Sequence, residues 1–121
     1  MSKRILVVED MEDNRRILRD LLTSAGFELI EAVDGEKGVA MAEQHHPDLI
    51  LMDIQLPIVD GYEATRRIKA NPELRNIPII AVTSYALSGD EAKTAAAGCD
   101  GYVAKPYSPR QILSKIREFL T

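Results

Sequence analysis

Four apolar runs in this chain stop at residues able to bind metal or phosphate. Asp48-Leu49-Ile50-Leu51-Met52-Asp53 ends in a carboxylate, and Arg4-Ile5-Leu6-Val7-Val8 leads into Glu9-Asp10. Ile79-Ile80-Ala81-Val82 ends at Thr83, and Gly101-Tyr102-Val103-Ala104 ends at Lys105. Such runs read as buried strands, and ligands of open α/β folds bind at the carboxyl ends of parallel strands. Three acids, a hydroxyl and an ammonium would then share one edge. Mg2+ takes hard oxygen ligands, keeps several waters and needs only one or two carboxylates. Glu9, Asp10 and Asp53 can supply them, and a cation would relieve the repulsion among crowded acids. A carboxylate can itself be the nucleophile in phosphoryl transfer, forming an aspartyl phosphate. Positioning and cations do most of the work in that chemistry. The set therefore reads as a phosphorylation site with Asp53 as acceptor, and Mg2+, Lys105 and Thr83 each meeting a phosphoryl oxygen.

These groups converge only if a sheet aligns them, and the chain alternates apolar strand and amphipathic helix five times. The first strand is expected over residues 3–8 and the first helix over 13–25, with the stripe Ile17, Leu18, Leu21, Leu22 and Ala25 facing the core. Gly26 suits a left-handed residue just past that helix. The second strand, Glu28 to Ala32, carries two glutamates and belongs at an edge. Asp34 caps a second helix ending near His45, where Pro47 forbids continuation. A loop over residues 54–60, shaped by Pro57 and Gly61, leads into a third helix that Asn71-Pro72 ends. The fourth strand is expected from about Ile77 to Val82, and a fourth helix after Ser88-Gly89-Asp90. Its stripe of Ala92, Ala95, Ala96 and Ala97 buries little area, at about 25 cal/mol per Å2, which makes it the least firmly docked helix. Ser108-Pro109 starts the last helix, with Ile112, Leu113, Ile116, Phe119 and Leu120 as its stripe. Continuous apolar strands between helices imply a doubly wound (βα)5 α/β fold, a parallel sheet covered on both faces through right-handed crossovers.

At 121 residues, with no internal repeat or linker, the chain is expected to be one domain over 1–121. A formal net charge of −4 argues against a general nucleic-acid surface, which is normally basic. The clusters Arg15, Arg16, Arg19 and Arg66, Arg67, Lys69 read as solvated helix faces. One cysteine, Cys99, precludes an internal disulfide and fits a reducing compartment. No run resembles a signal peptide or reaches bilayer-spanning length, so a cytoplasmic location without membrane contact is expected. His45-His46 has no nearby third ligand and closes a helix, where an imidazole is favourable. Cys99 follows Gly98 with no base in reach and reads as packing.

The combination Glu9-Asp10, Leu51-Met52-Asp53-Ile54-Gln55-Leu56-Pro57, Asp60-Gly61, Thr83 and Lys105-Pro106 resembles the receiver domains of two-component response regulators, across essentially the whole chain. The resemblance implies the flavodoxin-like strand order 2-1-3-4-5. It implies Asp53 as phosphoacceptor, and Asp10, Asp53 and the Gln55 backbone carbonyl as Mg2+ ligands, with Glu9 acting through water. Many receivers carry aspartate at the Glu9 position, and the longer arm still reaches a metal-bound water. Mn2+ is expected to substitute for Mg2+. Phosphorylation would draw the Thr83 hydroxyl towards the phosphoryl group and let Tyr102 move inward, remodelling the face of the fourth helix, fifth strand and fifth helix. Lys105-Pro106 is expected to be a cis peptide. Gln55 and Tyr85 would line the path of attacking water and tune the lifetime of the phosphoryl group, and the small Ser84 would leave access for the donor.

Asp53-Ile54-Gln55-Leu56-Pro57, Ala81-Val82-Thr83, Gly89-Asp90-Glu91 and Gly98-Cys99 are similar to the stand-alone DivK type of regulator, which controls cell division by modulating kinases. That implies a module that takes phosphoryl from a histidine kinase or phosphotransfer protein and signals by binding a downstream protein. Receivers inside hybrid kinases share much of this wording and remain an alternative. An aspartyl-phosphate phosphatase is disfavoured because Gln55 stands where such enzymes carry a general acid. A flavodoxin-like cofactor binder is disfavoured because Glu9 to Asp13 would repel phosphate. Partner docking is expected on Met11, Asn14, Ile17, Pro106 and Tyr107, beside the site.

Overall fold

The computed structural model describes residues 2–84 and 90–120, residue 90 by its backbone alone. Elements alternate as β1 (Arg4–Val8), α1 (Glu12–Ser24), β2 (Glu28–Ala32), α2 (Gly35–His45), β3 (Leu49–Asp53), α3 (Gly61–Ala70), β4 (Ile79–Thr83), α4 (Asp90–Ala97), β5 (Gly101–Ala104) and α5 (Pro109–Leu120). The five strands form one parallel sheet in the order β2-β1-β3-β4-β5. This is the flavodoxin-like arrangement that the resemblance implies, with β2 at an edge as its two glutamates suggest. Strand β3 sits at the centre, buried from Leu49 to Asp53.

Because strand side chains alternate between faces, the sheet supports two cores. On one face Ile5, Val7, Leu49, Leu51, Ile80 and Val82 pack with Leu18 and Leu22 of α1 and Ile112 and Ile116 of α5. On the other, Leu6, Val8, Ile50, Met52 and Ile79 pack with Ala42 of α2 and Ala64 and Ile68 of α3. Within the expected α1 stripe Ile17 is the exception: it is 59% exposed, turned away from the sheet.

Local chemistry sets the element ends. The Asp34 and Asp60 carboxylates accept from the Lys37 and Glu63 amides, capping α2 and α3. Ser108 and Gln111 cap α5 reciprocally, each amide donating to the other's side chain. Gly26 has φ +93° just past α1. β4 starts two residues later than expected, because the Ile77 amide closes a turn onto the Leu74 carbonyl and Pro78 has no N–H to give a ladder. The face that α4 buries also differs from the expectation. Thr94 and Ala97 are buried while Ala92, Ala95 and Ala96 are exposed. The Thr94 hydroxyl donates to the Glu91 carbonyl, so a polar side chain can face inward without an unmet donor.

Gly61 is required by close approach. A Cβ there would lie 2.3 Å from the Asp53 carbonyl oxygen and 2.6 Å from the Ile54 Cα. Its amide donates to the Ile54 carbonyl at 2.9 Å. The start of α3 is thereby seated directly on the backbone of Asp53.

Candidate phosphorylation and metal site

Glu9, Asp10 and Asp53 meet at the carboxyl edge. Each offers an oxygen lying within 4.8 Å of the others, the sole group of this kind among the described residues. Asp53 ends the central strand and is 5% exposed. Its Oδ1 accepts from the Gln55 amide at 3.0 Å, and its Oδ2 lies 3.2 Å from the Lys105 ammonium. Glu9 is equally buried. Its Oε1 lies 3.3 Å from Lys105 and accepts from the Asn14 amide group at 3.4 Å, while Oε2 accepts from the Met11 amide at 3.1 Å. Met11 precedes α1, so the Glu9 carboxylate satisfies a donor at the start of that helix and favours its dipole.

Lys105 thus bridges two buried acids that would otherwise repel each other. Its burial opposes the charge, but Asp53 and Glu9 outweigh this and hold the ammonium above its ordinary value. Asp10 is exposed, and what burial it has, with Glu9 beside it, pushes its carboxyl up from the usual aspartate value. Thr83 ends β4 and is fully buried, and its carbonyl accepts from the Lys105 amide at 2.7 Å. The Lys105–Pro106 peptide is cis. The Gln55 side chain is exposed beside the site, and Tyr102 is half-buried on β5 with its hydroxyl buried. Tyr85 lies outside the described residues.

The donor set suits a hard divalent cation: carboxylate oxygens from two strand ends, in reach of one another, one of them solvent-facing. An ammonium and a threonine at adjacent strand ends complete what a phosphoryl group on Asp53 would need. A model of the response regulator receiver domain matches residues 5–117. The chain belongs to that family. It is 45% identical to the polar-differentiation response regulator DivK of Brucella ovis over 120 residues, covering 99% of this chain and 98% of that one. Among solved structures it resembles the receiver domain of a sensor histidine kinase from Pseudomonas aeruginosa, which carries a magnesium ion coordinated in the active site cleft. That likeness is 38% in identity with a TM-score of 0.93, covering 99% and 98% of the two chains. The chemotaxis protein CheY4 of Vibrio cholerae, at 24% identity, shares the fold with a TM-score of 0.92 over 98% of this chain and 99% of that one.

The expected docking residues are mostly brought together. Asn14, Ile17, Pro106 and Tyr107 line one shallow cavity with Ser84 and Lys105. Met11 is exposed in the adjoining loop but does not line it. Burial pushes the Tyr107 hydroxyl up from its ordinary value. His45 ends α2 and His46 caps it, left-handed at φ 46°. Cys99 is half-buried with its Sγ 3.7 Å from the Thr65 hydroxyl.

Two basic residues read as solvated are not. The Arg15 side chain is only 12% exposed, and its Nη1 donates to the Glu9 carbonyl at 2.8 Å. Lys69 donates from one ammonium to the Arg75 and Ile77 carbonyls and to Asp100, at 3.0, 2.8 and 2.8 Å. Arginine and lysine at helical spacing look the same in sequence whether they face water or a carbonyl on another element. Sequence reasoning missed Ile58 as well. It is 76% exposed with φ +68° in the loop after Asp53, where a β-branched residue is strained.

Proposed function

We propose that this receiver accepts a phosphoryl group on Asp53 from a protein phosphohistidine, in a Mg2+-dependent reaction, and signals by phosphorylation-dependent protein binding as a stand-alone regulator of the DivK type. The observation that carries the reading is the buried Asp53 carboxylate with Lys105 at 3.2 Å and the Glu9 and Asp10 oxygens within 4.8 Å.

An Asp53 oxygen attacks phosphorus as the phosphorus–nitrogen bond of the donor breaks. The bond's electron pair leaves on the imidazole nitrogen, which then takes a proton. The Gln55 amide at 3.0 Å from Oδ1 orients the carboxylate, leaving Oδ2 towards Lys105. Lys105 then shifts from pairing with carboxylates to pairing with a phosphoryl oxygen, and the Thr83 hydroxyl donates to another. Asp10, Asp53 and the Gln55 carbonyl would hold the cation directly and Glu9 through water. Mg2+ held there, or Mn2+ in its place, would supply charge neutralisation on the transferred group. The Tyr102 ring and the face of α4, β5 and α5 carry the output, read by a downstream protein.

Incubation with acetyl phosphate and Mg2+ should give one phosphoryl adduct by mass spectrometry, absent with chelator and absent in Asp53→Asn. No adduct on a chain that binds Mg2+ would sink the reading. For docking, Ile17→Glu should slow transfer from a phosphohistidine phosphotransfer protein about tenfold, as loss of an interface anchor does, with acetyl phosphate labelling unchanged.

A further inference from the structure

We propose that Arg15 is a positioning residue for the divalent cation: by holding the Glu9 carbonyl it sets the direction in which the Glu9-Asp10 turn presents its carboxylates. The proposal rests on reading Glu9, Asp10 and Asp53 as the cation site.

Asp10 is exposed, so its place is set mainly by the backbone that carries it. That backbone is pinned through the residue before it. The Glu9 amide donates to the Ala32 carbonyl on β2 at 3.0 Å, and the Glu9 carbonyl, which is part of the peptide joining it to Asp10, accepts from Arg15 Nη1 at 2.8 Å. The Glu9 carboxylate is in turn tied to the Met11 amide and Asn14.

Arg15 can serve as an anchor because its guanidinium is itself immobilised. Nη2 donates to Glu12, and Nε lies 3.4 Å from Glu31 Oε1 on β2. Glu31 is gripped by Arg19 through two bonds of 2.7 and 2.8 Å. Four charged side chains therefore link α1, the edge strand and the metal-bearing turn. A planar guanidinium with several donors can bond a carbonyl and two acids at once, which an ammonium does less well. Residues of this kind, one step behind the ligands, typically change metal affinity 10- to 100-fold when removed.

The sign of the effect separates positioning from simple charge. Arg15 is a cation beside a cation site, so acting through its field alone it would weaken Mg2+ binding, and its loss would tighten it. Positioning requires the opposite. Calorimetric titration of the whole chain with Mg2+ should show the Kd of Arg15→Ala raised about tenfold, with Arg15→Lys recovering part of the loss. Acetyl phosphate labelling of Arg15→Ala should return to the parent level at saturating Mg2+, since Arg15 touches no reacting atom. Arg15→Lys keeps the charge and loses the fork, so it answers the question should Arg15→Ala fail to fold: its Kd should still lie above the parent's, where a field effect alone would leave it unchanged. An unchanged or tighter Kd in these folded variants overturns the proposal. A parent chain that binds no Mg2+ removes the cation-site reading, and the proposal with it.

Discussion

Lys105 shares one ammonium between two buried carboxylates, 3.2 Å from Asp53 and 3.3 Å from Glu9. Removing one partner of such a group leaves uncompensated charge, which costs more than the pair itself contributes. Lys105→Met should therefore lower metal-free stability by about 2–3 kcal/mol, somewhat below the figure for fully buried pairs because Lys105 is partly exposed. Saturating Mg2+ should restore more stability to the variant than it adds to the parent, as urea unfolding with and without the ion will show. Glu31 offers a pH test. The hydrogen bond from Arg19 holds its carboxyl below the ordinary glutamate value of 4.5. A depressed folded-state value contributes stability above the unfolded one and loses it as pH falls through the folded one. Glu31→Gln should thus reduce Tm most near neutral pH, and the gap to the parent should close as the pH drops below 4.5. A gap that stays constant with pH would show that the pair contributes nothing through its charge.

At the scale of elements, long side chains reaching between distant segments do work that helix stripes do not. Lys69 on α3 holds the Arg75 and Ile77 carbonyls and Asp100, whose Oδ2 also accepts from the Ile79 amide at 2.9 Å. One ammonium thus joins α3, the start of β4 and the turn before β5. Lys69→Met keeps the aliphatic stem but forfeits those bonds and should cost about 2 kcal/mol in chemical denaturation, in the range for hydrogen bonds to charged groups. A loss under about 0.5 kcal/mol, normal for surface substitutions, would mean that water replaces the lysine. By contrast α4 docks through Thr94 and Ala97 alone among its described residues. A helix so lightly held is cheap to displace, as the proposed response to phosphorylation at a strand end would require.

For the molecule as a whole, function and stability are linked through the acid cluster. A cation that binds the folded chain and not the unfolded one should add about 2.7 kcal/mol when Mg2+ is about 100 times its Kd. Chelator should reverse that gain, and Asp10→Asn should largely abolish it. An equal gain in Asp10→Asn would place the ion elsewhere. In the proposed function the same logic would apply to phosphorylation, since a group on Asp53 would shift the balance only by interacting differently with two arrangements of the α4, β5 and α5 face.

Much of this was legible in the residues because it follows from short-range pattern. Apolar runs define strands, alternation with amphipathic helices makes the sheet parallel, and a parallel sheet puts every carboxyl end on one edge, so Glu9, Asp10, Asp53, Thr83 and Lys105 had to share it. Capping at Asp34 and Ser108 is equally local. Tertiary structure alone decided where the flexible charges go. Lys105 reaches Glu9 across 96 positions, Lys69 reaches Asp100 across 31, and Arg15 meets the edge strand at Glu31. It also decided that Ile17 faces outward and that α4 turns Thr94 inward. Helical spacing names the faces a helix has. Which face is buried, and whether a cation finds water or a carbonyl, depends on the neighbour that packs against it.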